Sequence, residues 1–478
     1  MLKEKWIHAY LNNKMKSTPI RVGLFFGGAS REREASFLGG RTLYDYLDRN
    51  CFEPVPVFVD SLGNFILIHW QYLYHGSIRE CYPPPAPNTT FWGIPLYVES
   101  CVSKDEAEAY TATIGKKIAP EEFASYFDVA FLCLYGPYGE DGSIQGILQW
   151  YQMPYTGSGL LPAALGLNKI VQQPLLKNAG FLVAPSYPLS QQQWLHTTAT
   201  NTTNGLLEQV IATIGIPFVV KSSKQGSSIG VTIVQEADPT AFAAALNSAF
   251  FMEELDYTTW QTMAKKEWLH KLIDIRNGIG FPLLIDQQIF YKPATLLEYI
   301  ETHFQNTKQP LWLMSAQAET AILLEAYIEG REFSCVVLED EKGKPIALPP
   351  TEILKGGMLF DYRAKYLPGI IGKQTPINVE PALLQTIRAV VTAAFQLLHC
   401  QVYARIDGFL TKENQIFLND PNTTVGIHPS SHLFHQAATI GLNPTQLLTF
   451  IIKRSLETRK EEGFLNASVL LKRLKARL

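Results

Sequence analysis

The chain lacks the features that mark several functional classes. Its six cysteines, Cys51, Cys81, Cys101, Cys133, Cys335 and Cys400, form no CxxC pair and show no zinc-ligand spacing. That argues against a disulfide framework or a zinc module, and for reduced thiols used in packing, so the cytoplasm is the expected address. No apolar run reaches the ~18 residues that a membrane span needs, and the segment 1–17 lacks the apolar core of a signal peptide. Charge of one sign is missing too: 41 basic against 44 acidic residues give a net charge of −3, which leaves no electrostatic footprint for nucleic acid. The turn GGAS is not GxGxxG, so the dinucleotide fingerprint is absent, and the HRD and DFG signatures of protein kinases are missing as well.

What is present belongs to an ordinary globular protein, 46% hydrophobic and 18% charged over 478 residues. The most informative stretch is 403–431, YARIDGFLTKENQIFLNDPNTTVGIHPSS, with two β-type runs around the polar break 411–414, as in a hairpin with a four-residue loop. In that register Leu410 faces Gln415, Asp407 faces Leu418 and Arg405 faces Asp420. Period-two alternation puts Arg405, Asp407 and Asp420 on one face, with Asn422 two residues further along. Asp407 and Asp420 are then diagonal neighbours, roughly 7–8 Å apart at Cα. Two carboxylates and an amide oxygen suit a hard cation such as Mg²⁺, and the arginine beside them suits an anion. The competing reading is a solvated acidic face on a plain hairpin. The mixture of acid, amide and arginine, continued by the Gly-containing turn 423–426, weighs against it.

Upstream the chain alternates strand and helix. Residues 21–28, RVGLFFGG, read as a buried strand entering a glycine turn and 33–48 as a helix, a unit that places ligands at the carboxyl end of the strand. Glu32 and Glu34 lie at the helix start, where glutamates often only complement the dipole. A second buried strand, 127–136, empties into PYGEDGSIQG and brings Tyr135, Glu140 and Asp141 to the same edge. The glycines and prolines of MPYTGSGLLP mark a domain boundary. One helix is expected over 163–179, with Lys169 near its start. In PFVVKSSKQGSSIGVTIV, 217–234, a Ser/Gly loop lies between two β runs, with Lys221 closing the first. Close-approaching amides, hydroxyls and a lysine are the resources of a phosphate site, and equally the composition of a common hairpin turn. Residues 252–313 change in composition, with Trp260, Met263, Trp268, Leu272 and Ile273 at the helical spacing of a local core. Glu325 and Glu332 flank a glycine turn within 323–340, and 351–373 reads as a long irregular loop. The leucines and basic residues of 465–478 predict a peripheral helix with a solvated basic face.

In order along the chain, GGASREREAS, LYGPYGEDGSIQG, PYTGSGLLPAALGLNK, VVKSSKQGSSIGV, LLEAYIEGREF, FDYRAKY, YARIDGF and LNDPNTTVGIHPSS resemble the ATP-grasp ligases and, within them, the D-alanine–D-alanine ligase family, over 21–451. The resemblance implies an α/β and α+β multidomain ATP-grasp fold. After an extension at 1–20 it places a Rossmann-like α/β domain at 21–160, a central lid subdomain at 161–251 and an atypical insertion at 252–313. A C-terminal subdomain at 314–455, with a mobile loop at about 355–374, and a helix at 456–478 complete it. The implied activity is ATP-dependent ligation of two D-alanines through an acylphosphate, for peptidoglycan precursors. ATP and a pair of Mg²⁺ ions, with Mn²⁺ as a substitute, are the implied cofactors; D-alanine is the substrate, nucleic acid and membrane are not partners, and the assembly is a homodimer.

Residue by residue, the resemblance implies that Lys169 and Lys221 hold ATP phosphates beneath a loop carrying Ser227 and Ser228. Glu325, with the backbone at Tyr327 and Ile328, meets the adenine, and Glu332 the ribose. Asp407, Asp420 and Asn422 hold the metal. Glu32, Ser227 and Tyr366 orient the first D-alanine, and the loop with Lys365 and Tyr366 closes during turnover. Arg405 and the N–H of Gly426 serve the oxyanion, and Ser431 receives the second carboxylate.

The chain departs from the family in places. Asp420-Pro421 stands where glutamate is typical, one methylene shorter, so metal geometry should differ. Tyr135-Gly136 stands where His-Gly is typical, which removes an imidazole near the first substrate and bears on amino-acid choice. The stretch 252–313 has no counterpart in the usual pattern and reads equally as a cap, an oligomer contact or a surface elaboration. The rival functions are a ligase with D-lactate or D-serine as second substrate, and a nucleotide-binding homologue with little catalysis. Lys169, Lys221, Arg405, Asp407 and Asn422 together argue for an enzyme.

Overall fold

The computed structural model describes residues 18–74, 90–91, 94–95, 109, 111–112, 114–276, 278–354 and 372–478. The segment 355–371, with Lys365 and Tyr366, lies outside the described residues, as do 1–17, Cys81 and Cys101.

Strand Ile20–Gly27 is apolar on both faces and so sits inside a five-stranded sheet, parallel to Phe52–Val59 on one side and Val129–Leu132 on the other. Phe65–Ile68 and Gly115–Ile118 extend it antiparallel. The carboxyl ends of the parallel strands release the turns 28–32 and 133–142. Ser36, on helix Arg33–Tyr46, ties them together by accepting the Gly27 N–H at 2.8 Å and donating to the Cys133 carbonyl.

Two further sheets face each other across a cavity. One runs Thr232–Val234, Phe218–Ser222, Ala321–Ala326, Ser186–Ser190, with helices Thr203–Ile214 and Pro239–Phe250 packed on it. The other runs Gly372–Gln374, Thr351–Leu354, Arg331–Glu339, Tyr403–Leu410, Ile416–Asn422, Leu182–Val183, with helix Pro381–Leu397 against it. Residues 252–315 form a small sheet of their own, Met252–Leu255, Leu311–Ser315, Leu283–Ile285 and Gln288–Phe290. Trp260, Trp268, Leu272 and Ile273 are buried in its core.

The helix expected over 163–179 is two helices, Leu160–Leu167 and Lys169–Asn178. Asn168 lies extended between them and its side chain accepts the N–H of Ile170 at 3.2 Å, so Lys169 opens a new helix. At the other end of the chain, helices Pro444–Glu461 and Ala467–Lys475 pack back on the first sheet, where Leu448, Ile451, Leu470 and Leu474 join Ile20, Val22 and Leu24. Each such side chain contributes about 1.5–3 kcal/mol when fully buried, enough to dock the tail helix while its basic residues stay outward or, like Arg473, reach Asp128 at 3.3 Å. Among the described residues no helix is long and apolar enough to cross a membrane.

Candidate active site

The hairpin adopts a register different from the expected one, and the difference brings its acids together. Leu410 pairs with Ile416, both buried, so the loop is 411–415. A slip of one residue turns a strand's side chains to the other face. A bulge at Asn419 turns them back: Gly408 pairs with Leu418, but Asp407 pairs with Asp420 and Arg405 with Asn422. Only glycine fits at 408, where a Cβ would lie 2.5 Å from the Phe417 carbonyl oxygen. Asp407 and Asp420 are therefore directly opposite, a spacing of roughly 4.5–5.5 Å at Cα, closer than the diagonal pair expected.

On one side of this pair lies a cavity of about 330 Å³ between the two facing sheets. Its walls include Lys169, Lys221, Ser228, Glu325, Tyr327, Ile328 and Glu332, with Asp407, Asn419 and Asp420 at the hairpin end. Lys221 is buried, paired with Glu325, and donates to Asn419 Oδ1 at 3.1 Å. Gln173 donates to the same glutamate. Lys169 donates to the Gln225 carbonyl at 2.9 Å and stands 3.4 Å from Asp420. Burial pulls its ammonium down, but Asp420, with Glu319 and Glu325, outweighs this and holds the pKa above the ordinary lysine value.

The Ser/Gly loop passes between this cavity and the next. Ser227 and Ser228 take left-handed backbone angles, φ 52° and 60°. Gly226 beside them leaves room for Glu32: a Cβ there would sit 2.6 Å from Glu32 Oε2 and push that carboxylate aside. The base of the loop is fixed by Glu319, which accepts from Ser223 Oγ at 2.9 Å, the Lys224 N–H at 3.2 Å and Gln225 Nε2 at 3.3 Å. Burial raises the Glu319 pKa.

On the other side of the acid pair a smaller cavity, about 60 Å³, is bounded by Glu32, Ser227, Arg405, Gly426 and Ser431, again with Asp407, Asp420 and Asn422. Ser227 donates to Glu32. Arg405 grips Asp407 from Nε at 2.9 Å and Nη2 at 2.7 Å, and Ser334 donates to the same carboxylate at 2.7 Å. Ser431 caps helix His432–Ala438, accepting the Phe434 N–H at 3.3 Å, which leaves its hydroxyl hydrogen able to donate. Tyr135 does more than subtract an imidazole: its hydroxyl accepts the N–H of Ile427 at 2.8 Å and so fastens the backbone beside Gly426. Glu140 accepts the Gly136 N–H at 2.8 Å, and burial with the nearby Glu32 lifts its pKa well above the usual carboxylate range.

Lys373, His428 and His432 line the far end of this cavity. Lys373 donates to the Ser430 carbonyl at 2.8 Å. Burial, with Lys373 and Arg405 nearby, pushes His428 down to about 4 and holds His432 well below the ordinary histidine value, so both imidazoles are neutral at pH 7. The Nδ1 of His432 is buried without a hydrogen-bond partner among the described residues.

The oxygen donors of Asp407, Asp420 and Asn422 fit a hard cation whose remaining positions are filled by phosphate and water. Among the described residues no group of three or more His, Cys, Asp or Glu side chains is placed to hold a metal unaided. A cation here would share Asp407 with Arg405.

Glu319, Lys373, Asn419, His428 and His432 were not among the expected site residues. Glu319 lies in a loop, Lys373 and Asn419 on strands, His428 in the turn after the hairpin and His432 at a helix start; Asn419 reaches the cavity only through the bulge.

Comparison with known proteins gives a consistent result. The family profile "D-ala D-ala ligase N-terminus" matches residues 21–158, and "D-ala D-ala ligase C-terminus" matches 175–255 and 253–453. A D-alanine–D-alanine ligase of Oceanobacillus iheyensis is 27% identical over 94% of this chain and 98% of its own length. The fold is similar to the VanG D-Ala:D-Ser ligase of Enterococcus faecalis, with a TM-score of 0.59 at 18% identity over 92% of this chain and 100% of that one. It is also similar to a D-alanine–D-alanine ligase of Bacillus anthracis solved with ATP, with a TM-score of 0.52 at 21% identity over 93% and 100% of the two chains.

Proposed function

The chain belongs to the D-alanine–D-alanine ligase family, ATP-dependent ligases with the ATP-grasp fold, and on that premise we propose that it joins two D-alanines into D-alanyl-D-alanine while ATP becomes ADP and phosphate. The observation that carries this reading is the wall shared by the two cavities, since Asp407 and Asp420 border both. A γ-phosphate held from the larger cavity meets a carboxylate held in the smaller one at that wall.

In this reading Lys169 and Lys221 bind the phosphates under the loop of Ser227 and Ser228. Glu325, Tyr327 and Ile328 surround the adenine, and Glu332 takes the ribose. Mg²⁺ held by Asp407, Asp420 and Asn422 supplies neutralisation of phosphoryl charge when bound. Glu32, set by Ser227, orients the first D-alanine. Its carboxylate oxygen attacks the γ-phosphorus, ADP leaves, and an acylphosphate forms. Ser431 and Lys373 receive the carboxylate of the second D-alanine, whose amine attacks the acyl carbon and expels phosphate. Arg405 and the Gly426 N–H hold the oxyanion, a type of donor whose loss costs about 3–4 kcal/mol. Tyr135 keeps that backbone in place. The dipeptide suits peptidoglycan precursor synthesis, and a cytoplasmic homodimer accords with the family.

The test is phosphate release from Mg-ATP by the purified chain, with and without D-alanine, with the product identified by mass. D-alanine-dependent release with the dipeptide mass is expected; release indifferent to D-alanine, with no dipeptide, rejects the reading.

One observation favours a second acceptor. The Nδ1 of His432 at the acceptor end, without a partner among the described residues, suits a side-chain hydroxyl, and a D-Ala:D-Ser ligase is among the similar structures. With D-alanine and D-serine supplied together, D-alanyl-D-serine should appear beside the alanyl dipeptide; its absence removes this extension alone.

A further inference from the structure

The segment 252–315 folds around its own core, yet it is fastened to the turn that carries Glu32. Arg31, only 4% exposed, donates from Nη1 to the carbonyls of Ile275 at 2.9 Å and Gly278 at 3.3 Å, and from Nη2 to that of Ile279 at 2.5 Å. These carbonyls belong to the turn after helix Lys265–Ile273, which folds back so that Ile279 and Gly280 donate to the helix-end carbonyls of Lys271 and Leu272. The guanidinium also lies 3.6 Å from the ring centre of Phe251, the residue through which the chain enters the segment. Two more contacts lie alongside: Arg276 pairs at 3.1 Å with Glu34, on the helix that follows the turn, and Gln317, just past the segment, donates to the Ala29 carbonyl at 3.1 Å.

We propose that 252–315 is a positioning element for the first amino acid, and that Arg31 is the positioning residue through which it acts. This goes beyond the ligase reading but uses that reading's first-substrate site. Arg31 and Glu32 are adjacent in sequence but serve opposite sides of the turn. The arginine is locked into the segment, while Glu32 faces the smaller cavity and accepts from Ser227. Phe251 extends the connection, because its neighbour Phe250 accepts the Glu319 N–H at 3.2 Å, and Glu319 anchors the base of the serine loop. Both partners of the Glu32–Ser227 hydrogen bond are thus tied to the root of one segment. A buried guanidinium held by three carbonyls has little freedom, and orientation of a binding carboxylate is sensitive to displacements near 1 Å. A surface elaboration or an oligomer contact requires no such anchor.

The test compares Arg31→Leu, Arg31→Lys and the milder Arg276→Gln in the full chain. Arg31→Leu should raise KM for the first D-alanine by at least tenfold while KM for ATP stays within twofold. Arg31→Lys, which keeps charge but loses the fork, should fall between that variant and the wild type, and Arg276→Gln should shift KM by two- to threefold. Amide exchange over 28–36 and 274–280 should quicken in the Arg31 variants, a readout that needs no catalysis. Wild-type failure to form any dipeptide removes the ligase reading, and the exchange pattern then decides the positioning role by itself. Unchanged exchange over 28–36, or an unchanged KM for the first D-alanine in folded variants, overturns the proposal. Should Arg31→Leu not fold, the other two variants decide it by the same measures.

Discussion

The two cavities on either side of Asp407 and Asp420 balance charge differently. In the larger one each lysine meets a carboxylate, Lys221 with Glu325 and Lys169 with Asp420. At the far end of the smaller one Lys373 bonds a backbone carbonyl, and the histidines beside it are neutral. A matched lysine is held in position and can exchange part of its bonding for a polyphosphate. An ammonium in a partly buried wall, with no carboxylate partner among the described residues, draws in one small carboxylate. The proposed division of labour, nucleotide on one side and amino acids on the other, rests on that difference.

Substitutions should separate the sides. Arg405→Ala should lower kcat by about 10²–10³-fold, the range for an oxyanion donor, while MgATP binding persists; turnover and nucleotide titration together check this, and a parallel collapse of ATP affinity would break the comparison. Lys221→Met removes a charge-assisted bond and strands Glu325, so ATP affinity should fall by about 10–100-fold, with KM for D-alanine little changed. Lys373→Met should do the reverse, raising KM for the second D-alanine by about tenfold and leaving ATP alone.

The smallest effect is on stability. The folded pKa of His428 lies near 4, below the ordinary 6.5, so the unfolded chain binds more protons between those values. Stability is complete above pH 6.5 and is lost as pH falls toward 4, by about 2 kcal/mol at pH 5 from this residue; His432 acts in the same direction. Urea midpoints at pH 7 and pH 5 should show the loss, and His428→Asn should reduce it.

Much of this arrangement was legible in the sequence. The alternation of 403–422 identified the face bearing Arg405, Asp407 and Asp420 because period two is fixed by the strand itself. The register was not legible: hydrophobic matching of Leu410 with Ile416 lengthened the turn, and the bulge at Asn419 corrected the phase. Lys169 was placed near a helix start, but the cap at Asn168 that breaks 163–179 was hidden in a continuous apolar pattern. Glu319, Lys373 and Arg31 gave no local signal. Each has partners far away in sequence, as with Arg31, one of four charges in the run 31–34, and the carbonyls of 275–279.

The central claim is that a D-alanine carboxylate attacks the γ-phosphate at the Asp407–Asp420 wall. D-alanine labelled with ¹⁸O in its carboxylate tests this most directly, through mass analysis of the phosphate released with the dipeptide. An acylphosphate route places one labelled oxygen in each phosphate, since the attacking oxygen leaves with phosphorus. Dipeptide formed alongside unlabelled phosphate would contradict it.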